Sequence, residues 1–194
     1  MKWRSNSFGG ILLEIENGSV AVNGGGSLAD MEQAYVVDGK APAAMIVTCE
    51  HHHRSRNADR FCLKHSVPLI AADLCGERLC LEGIDTTCLP VPGNRFFVKR
   101  GFGLSLLPVR YDSADPFCLI IGDSENTLGF VPDGKIYPKL AKYLLDCDTL
   151  ILGNRLNIPG NAPSALVRRL KSVYNTQEEL DGLFADYTGE LCYI

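Results

Sequence analysis

Ala43-Ala44-Met45-Ile46-Val47-Thr48-Cys49-Glu50-His51-His52-His53-Arg54 is the stretch on which the reading of this chain turns. Its first six residues form an apolar run that reads as a short buried strand, 43–48. That strand ends on three of the chain's four histidines. Working upstream, Ser27 with Asp30 three places on marks a helix start after Gly24-Gly25-Gly26. Before that, 11–16 and 19–23 alternate as strands around Asn17-Gly18, the strongest short-range hairpin signal. Downstream, Asn57 to His65 reads as a helix and Val67 to Ala72 as another buried strand, which gives a βαβ rhythm.

The second half repeats this plan. Cys88 to Leu107 alternates apolar and polar residues between Pro and Gly breaks, as antiparallel strands do. Strands at 117–121 and 127–131 flank a Gly-Asp-Ser-Glu-Asn turn, 149–152 is a buried strand, and Tyr137 to Leu145, Ala162 to Ser172 and Gln177 to Phe184 read as helices. No linker or charge block interrupts 1–194, so the expectation is one domain of two packed sheets with outer helices.

Composition narrows the function. With 19 Lys+Arg against 23 Asp+Glu, the net charge of −4 argues against broad electrostatic capture of nucleic acid or anionic lipid. No apolar run reaches the ~20 residues of a membrane span, and the first ten residues lack the pattern of a signal peptide. None of the eight cysteines forms a C-x-x-C pair and several lie in apolar segments, so they are expected as reduced thiols in a cytoplasmic protein.

Four places can carry chemistry. If the backbone stays extended after Thr48, the period of two points Cys49, His51 and His53 to one side, and thiolate and imidazole are zinc ligands. The same residues also suit a polar strand end whose imidazoles face water. Asp133, in Phe130-Val131-Pro132-Asp133-Gly134, either supplies a carboxylate or makes a turn. Tyr111, Asp112 and Asp115 share one loop, as a ligand site or as Asx-turn chemistry. Gly24-Gly25-Gly26 either cradles an anion on backbone N–H groups or supplies flexibility, and it lacks the G-x-G-x-x-G or P-loop Lys that would favour the first. No G-x-S-x-G elbow supports serine hydrolase chemistry.

The order of these pieces resembles the metallo-β-lactamase superfamily, in particular its bacterial WalJ/YycJ-like branch of nucleases and phosphodiesterases. Ser5-Asn6-Ser7-Phe8-Gly9-Gly10 is similar to that branch's G-S-S-G-N-S start. Val22-Asn23-Gly24-Gly25-Gly26-Ser27-Leu28 is similar to L-I-D-A-G-L-S-L, with Asn23 in place of Asp. Thr48 to Arg54 falls on T-H-x-H-x-D-H: His51 is kept, Cys49 replaces a His, His53 the Asp and Arg54 the last His. Pro108 to Pro116 resembles P-V-x-H-D-A-x-D-P with Tyr111 at the His, and Asp133 keeps the metal-bridging carboxylate of A-T-D-x-G. Leu150 to Asn157 lacks the Glu, His and Asp of L-I-L-E-x-N-H-D, and Ser172 to Thr176 has no His to match G-H-L-S-N.

The resemblance implies an α/β fold, the metallo-β-lactamase-like αββα four-layer sandwich, with a degenerate metal site. Cys49, His51, His53 and Asp133 can together bind one zinc at most. Tyr111 is a poor ligand because its phenol has a pKa of about 10, and Arg54 puts a fixed charge where a second cation would sit. The Arg54 guanidinium can instead hold a phosphate or carboxylate, and Arg54, Tyr111 and Asp112 are the candidate ligand-binding residues. Three readings stay open. In the preferred one the chain is a pseudoenzyme, without the family's hydrolase activity, that binds a small anionic or nucleotide-like ligand in the old cleft. The second is a hydrolase of phosphodiesters or esters with a single zinc and Asp133 as its catalytic carboxylate. The third is a structural or interaction protein, a homodimer among its forms. Nucleic acid enters as a partner only through the family resemblance, a membrane not at all, and the cofactor is none or a single zinc.

Overall fold

Short apolar runs become strands, and each sheet is built from one uninterrupted stretch of chain. The first sheet holds β1 (Lys2–Ser5), β2 (Ile11–Ile15), β3 (Gly18–Val22), β4 (Ala44–Val47), β5 (Leu69–Ala72) and β6 (Thr86–Leu89), in that spatial order. The second holds β7 (Gly93–Val98), β8 (Phe102–Pro108), β9 (Phe117–Gly122), β10 (Thr127–Val131), β11 (Thr149–Leu152) and β12 (Glu190–Tyr193), again side by side in chain order. Among the described residues seven helices accompany them: α1 (Leu28–Tyr35), α2 (His52–Ser55), α3 (Ala58–His65), α4 (Asp73–Leu79), α5 (Pro138–Leu144), α6 (Ser164–Val173) and α7 (Gln177–Leu183). This computed structural model describes residues 1–16, 18–79, 84–91, 93–98, 102–153, 156, 158 and 160–194. Asn17 and Cys80, and residues 154, 155 and 157 of the Leu150-to-Asn157 comparison, lie outside them.

Both sheets begin antiparallel and finish parallel. β1, β2 and β3 pair antiparallel and β3 through β6 parallel. In the second sheet β7 through β10 are antiparallel, and β10, β11 and β12 parallel. The side-chain period of two sorts β9 between two cores. Phe117, Leu119 and Ile121 join the larger core, which contains Leu13 and Ile46 of the first sheet and Met31, Tyr35 and Phe61 of α1 and α3. Cys118 points the other way, into a second core with Leu140 and Leu144 of α5 and Leu180 of α7. All four residues of β4 are buried, as a parallel strand covered on both faces requires.

The expected strands at 11–16, 19–23, 43–48, 117–121, 127–131 and 149–152 correspond to β2, β3, β4, β9, β10 and β11. The sequence reading did not anticipate β1, β12, α2 or α4. The two edge strands are largely exposed and carry charged residues, so they have no apolar alternation to betray them.

Candidate functional site

The site begins where β4 stops. Asn23, fully buried and in the left-handed region at φ 66°, donates its backbone N–H to Ile46 O at 2.7 Å. Its side-chain Oδ1 accepts from Thr48 N at 3.0 Å and Thr48 Oγ1 at 2.9 Å, which ties the end of β3 to the end of β4. Thereafter the chain coils. Arg54 N and Ser55 N both donate to His51 O, at 2.8 and 3.0 Å, closing the single turn α2. The conditional extended reading of 49–53 is therefore corrected, because a helical turn replaces the alternation that would have put Cys49, His51 and His53 on one face.

The glycine run is occupied as well. Gly24 N donates to Arg54 O at 2.6 Å and Gly25 N to Arg56 O at 2.9 Å, so these amides bind the α2 turn and are not open to an anion. Gly25, at φ +111°, is required here: a Cβ would stand 2.2 Å from His53 O.

Arg54 is the centre of the arrangement. Only 7% of its surface is exposed, and each guanidinium nitrogen has a partner inside the chain. Nε donates to Asp133 Oδ2 at 2.6 Å, Nη1 to Gly9 O at 2.5 Å and Nη2 to Pro132 O at 3.1 Å. Gly9 makes room for it, since a Cβ there would lie 2.2 Å from Nη1. The pair joins the loop before β2 to the loop after β10, and so one sheet to the other. Burial pulls the Arg54 pKa down, but the Asp133 carboxylate more than offsets this and raises it. Burial likewise pushes the Asp133 carboxyl up, and the bonds and charges of His53 and Arg54 outweigh it, leaving it below the usual carboxylate value. The sequence reading expects Arg54 to hold an outside phosphate or carboxylate; in this structure its Nε, Nη1 and Nη2 each donate to a group within the chain.

The other sequence-predicted residues surround this pair. His53 Nε2 stands 3.7 Å from Asp133 Oδ2, with its side chain half exposed. The His51 ring lies 5.8 Å from the His53 ring and 5.3 Å from that of Tyr111. Tyr111 Oη accepts from Tyr174 Oη at 3.2 Å, and burial drives the Tyr111 phenol far above its ordinary value, which keeps it neutral. Asp112 faces outward and pairs with Arg169 of α6. Glu50 ties the loop to the turn, accepting from Arg78, from Ser113 and from Ala114 N. Cys49 is buried beneath the cluster, and desolvation pushes its thiol up to about 12. Sequence reasoning missed Gly9, Tyr174 and Arg169. The first is visible only as a glycine in the opening motif, and the other two lie in a stretch with no ligand-type residue.

Among the described residues no three His, Cys, Asp or Glu side chains are grouped to hold a metal ion. The four candidates Cys49, His51, His53 and Asp133 are distributed as a buried protonated thiol, two imidazoles at the cleft and a carboxylate committed to Arg54. A guanidinium, rather than a metal ion, is the partner of the Asp133 carboxylate in this structure.

No family model and no curated protein matches this sequence. Solved structures do. The metallo-β-lactamase fold protein YhfI from Bacillus subtilis superposes with a TM-score of 0.71 at 14% identity, over 95% of this chain and 78% of that one. A possible metal-dependent hydrolase from Veillonella parvula gives 0.68 at 12% identity, over 99% and 82%. The short form of human tRNase Z gives 0.66 at 9% identity, over 95% and 84%. Two six-stranded sheets with helices packed outside them, together with these likenesses, establish that the chain has the metallo-β-lactamase fold.

Proposed function

We propose that this chain is a metallo-β-lactamase-fold protein whose metal centre has been replaced by an internal cation, and that it binds a small anionic or nucleotide-like ligand in the cleft without metal-dependent hydrolysis. One observation carries the reading: the Arg54 guanidinium is bonded at 2.6 Å to Asp133, with its remaining nitrogens on Gly9 O and Pro132 O. A fixed, always-charged group in that position satisfies the carboxylate and repels a second cation. The groups left at the cleft are the imidazoles of His51 and His53 and the neutral phenols of Tyr111 and Tyr174, which offer hydrogen bonds and aromatic faces to a ligand.

Elemental analysis of tag-free protein, with melting measured before and after chelation, tests this. The expected result is less than one metal per chain, a melting temperature indifferent to chelator and no turnover of phosphodiesters or β-lactams. Two metals per chain with zinc-dependent turnover abolished in His51→Ala would overturn it. A mononuclear zinc hydrolase is the second reading, favoured by His53 standing beside Asp133. One zinc per chain with turnover lost in His53→Ala would select it.

A further inference from the structure

A cavity of about 380 Å³ lies between the start of α5 and the outer side of α7, and none of the cleft residues described above lines it. Its floor is apolar and held in place. Ile136 is buried and clamped at both ends by Asn175, whose Oδ1 accepts from Ile136 N at 2.7 Å and whose Nδ2 donates to Ile136 O at 3.0 Å. Tyr137 is fixed by its hydroxyl, which donates to Pro108 O at 3.2 Å, and Pro138 and Leu183 complete the apolar lining.

The charged groups of this cavity divide into two kinds. Lys135 and Glu179 neutralise each other at 2.8 Å. Arg110 and Glu178, both exposed and both lining the cavity, have no side-chain partner among the described residues. Arg110 is positioned by its backbone, which pairs with that of Lys135 through N–H···O bonds of 3.3 and 2.9 Å. Glu178 stands in the first turn of α7, fixed by a Thr176–Glu179 capping box. An apolar floor with one free guanidinium and one free carboxylate at its walls is complementary to a small zwitterion bearing an apolar substituent.

We propose that this cavity binds an apolar α-amino acid. The ligand carboxylate pairs with the Arg110 fork, its ammonium with Glu178, and its side chain lies on Ile136, Tyr137 and Leu183. A plain carboxylic acid would meet Glu178 with like charge, and a plain amine would meet Arg110, so the pair selects for both groups together. The proposal is independent of the metal question, because no residue of the Arg54 cleft takes part.

Isothermal titration calorimetry on the full chain tests it, using L-leucine, L-phenylalanine, 4-methylpentanoate and isopentylamine. Both amino acids should bind. The acid and the amine should bind at least about tenfold more weakly, the loss of one charge-assisted hydrogen bond. Arg110→Gln and Glu178→Gln should each weaken leucine by a similar factor while melting as the parent does, since both side chains are exposed and have no side-chain partner among the described residues. No heat from either amino acid up to millimolar concentration would overturn the proposal. So would equal affinity for leucine and 4-methylpentanoate, or variants that bind leucine unchanged.

Discussion

Replacing Arg54 by Met keeps the length and apolar stem of the side chain and removes the charge. Asp133, 8% exposed in the parent, then keeps His53 at 3.7 Å as its charged partner among the described residues, while Gly9 O and Pro132 O lose their donor. Removing one partner of a buried ion pair costs about 3–5 kcal/mol, because the remaining charge stays desolvated. For a chain of this size that is a fall in Tm of about 6–20 °C. Urea unfolding followed by far-ultraviolet circular dichroism measures it. Adding Asp133→Asn should recover part of the loss, since the uncompensated charge goes with it.

The pH dependence gives a second reading of the same variant. In the parent the Asp133 carboxyl is depressed, so its contribution is complete above the unfolded value and is lost as pH falls through the lower folded one. In Arg54→Met the lowering bond and charge of Arg54 are gone while burial stays, so the folded value rises relative to the parent and less stability is lost as pH falls through the carboxylate range. The gap between the two proteins should therefore narrow at acid pH. A loss below about 1 kcal/mol, in the range of an exposed pair, or a gap that widens towards acid, would refute the claim that Arg54 neutralises Asp133.

Three further outcomes are expected. Ser27→Ala should lower stability by about 1 kcal/mol in urea unfolding, because the α1 capping box is lost. Gly25→Ala should destabilise by several times the ~1 kcal/mol of a left-handed alanine alone, since the new Cβ also strikes His53 O, whereas Gly160→Ala, which meets nothing within 4 Å, should melt as the parent does. In native alkylation mapped by mass spectrometry near pH 8, Cys88 should react first and Cys192 next among the described cysteines. Cys49, Cys62, Cys75 and Cys147, buried with thiols pushed up to about 12, should be protected until the chain unfolds.

The strands that build the two cores are legible because their burial is written in neighbouring residues. Ile11–Ile15 and Phe117–Gly122 are near-continuous apolar runs, and the turns beside them carry glycine. The site is legible only in its membership. His51, His53, Arg54, Tyr111 and Asp133 can each be picked out as chemistry-bearing side chains, but the partner that decides what Arg54 does is 79 residues away, and Gly9 is 45 away. No local spacing encodes such a contact. The coiling after Thr48 is hidden for a related reason: the amides that hold it, Gly24 and Gly25, belong to a segment that reads equally well as a flexible turn.

Because β1 to β6 occupy residues 2–89 and β7 to β12 residues 93–193, without exchange, the order of synthesis allows the sheets to form one after the other. The amino-terminal sheet can close every one of its ladders before any strand of the other has left the ribosome. What it lacks at that moment is a cover for the face that Leu104, Leu106, Phe117 and Leu119 will later fill. For that interval the nascent chain presents an apolar surface to the cell, the condition under which chaperone capture competes with aggregation. Docking of the carboxy-terminal sheet ends that exposure, and only then does Arg54 meet Asp133.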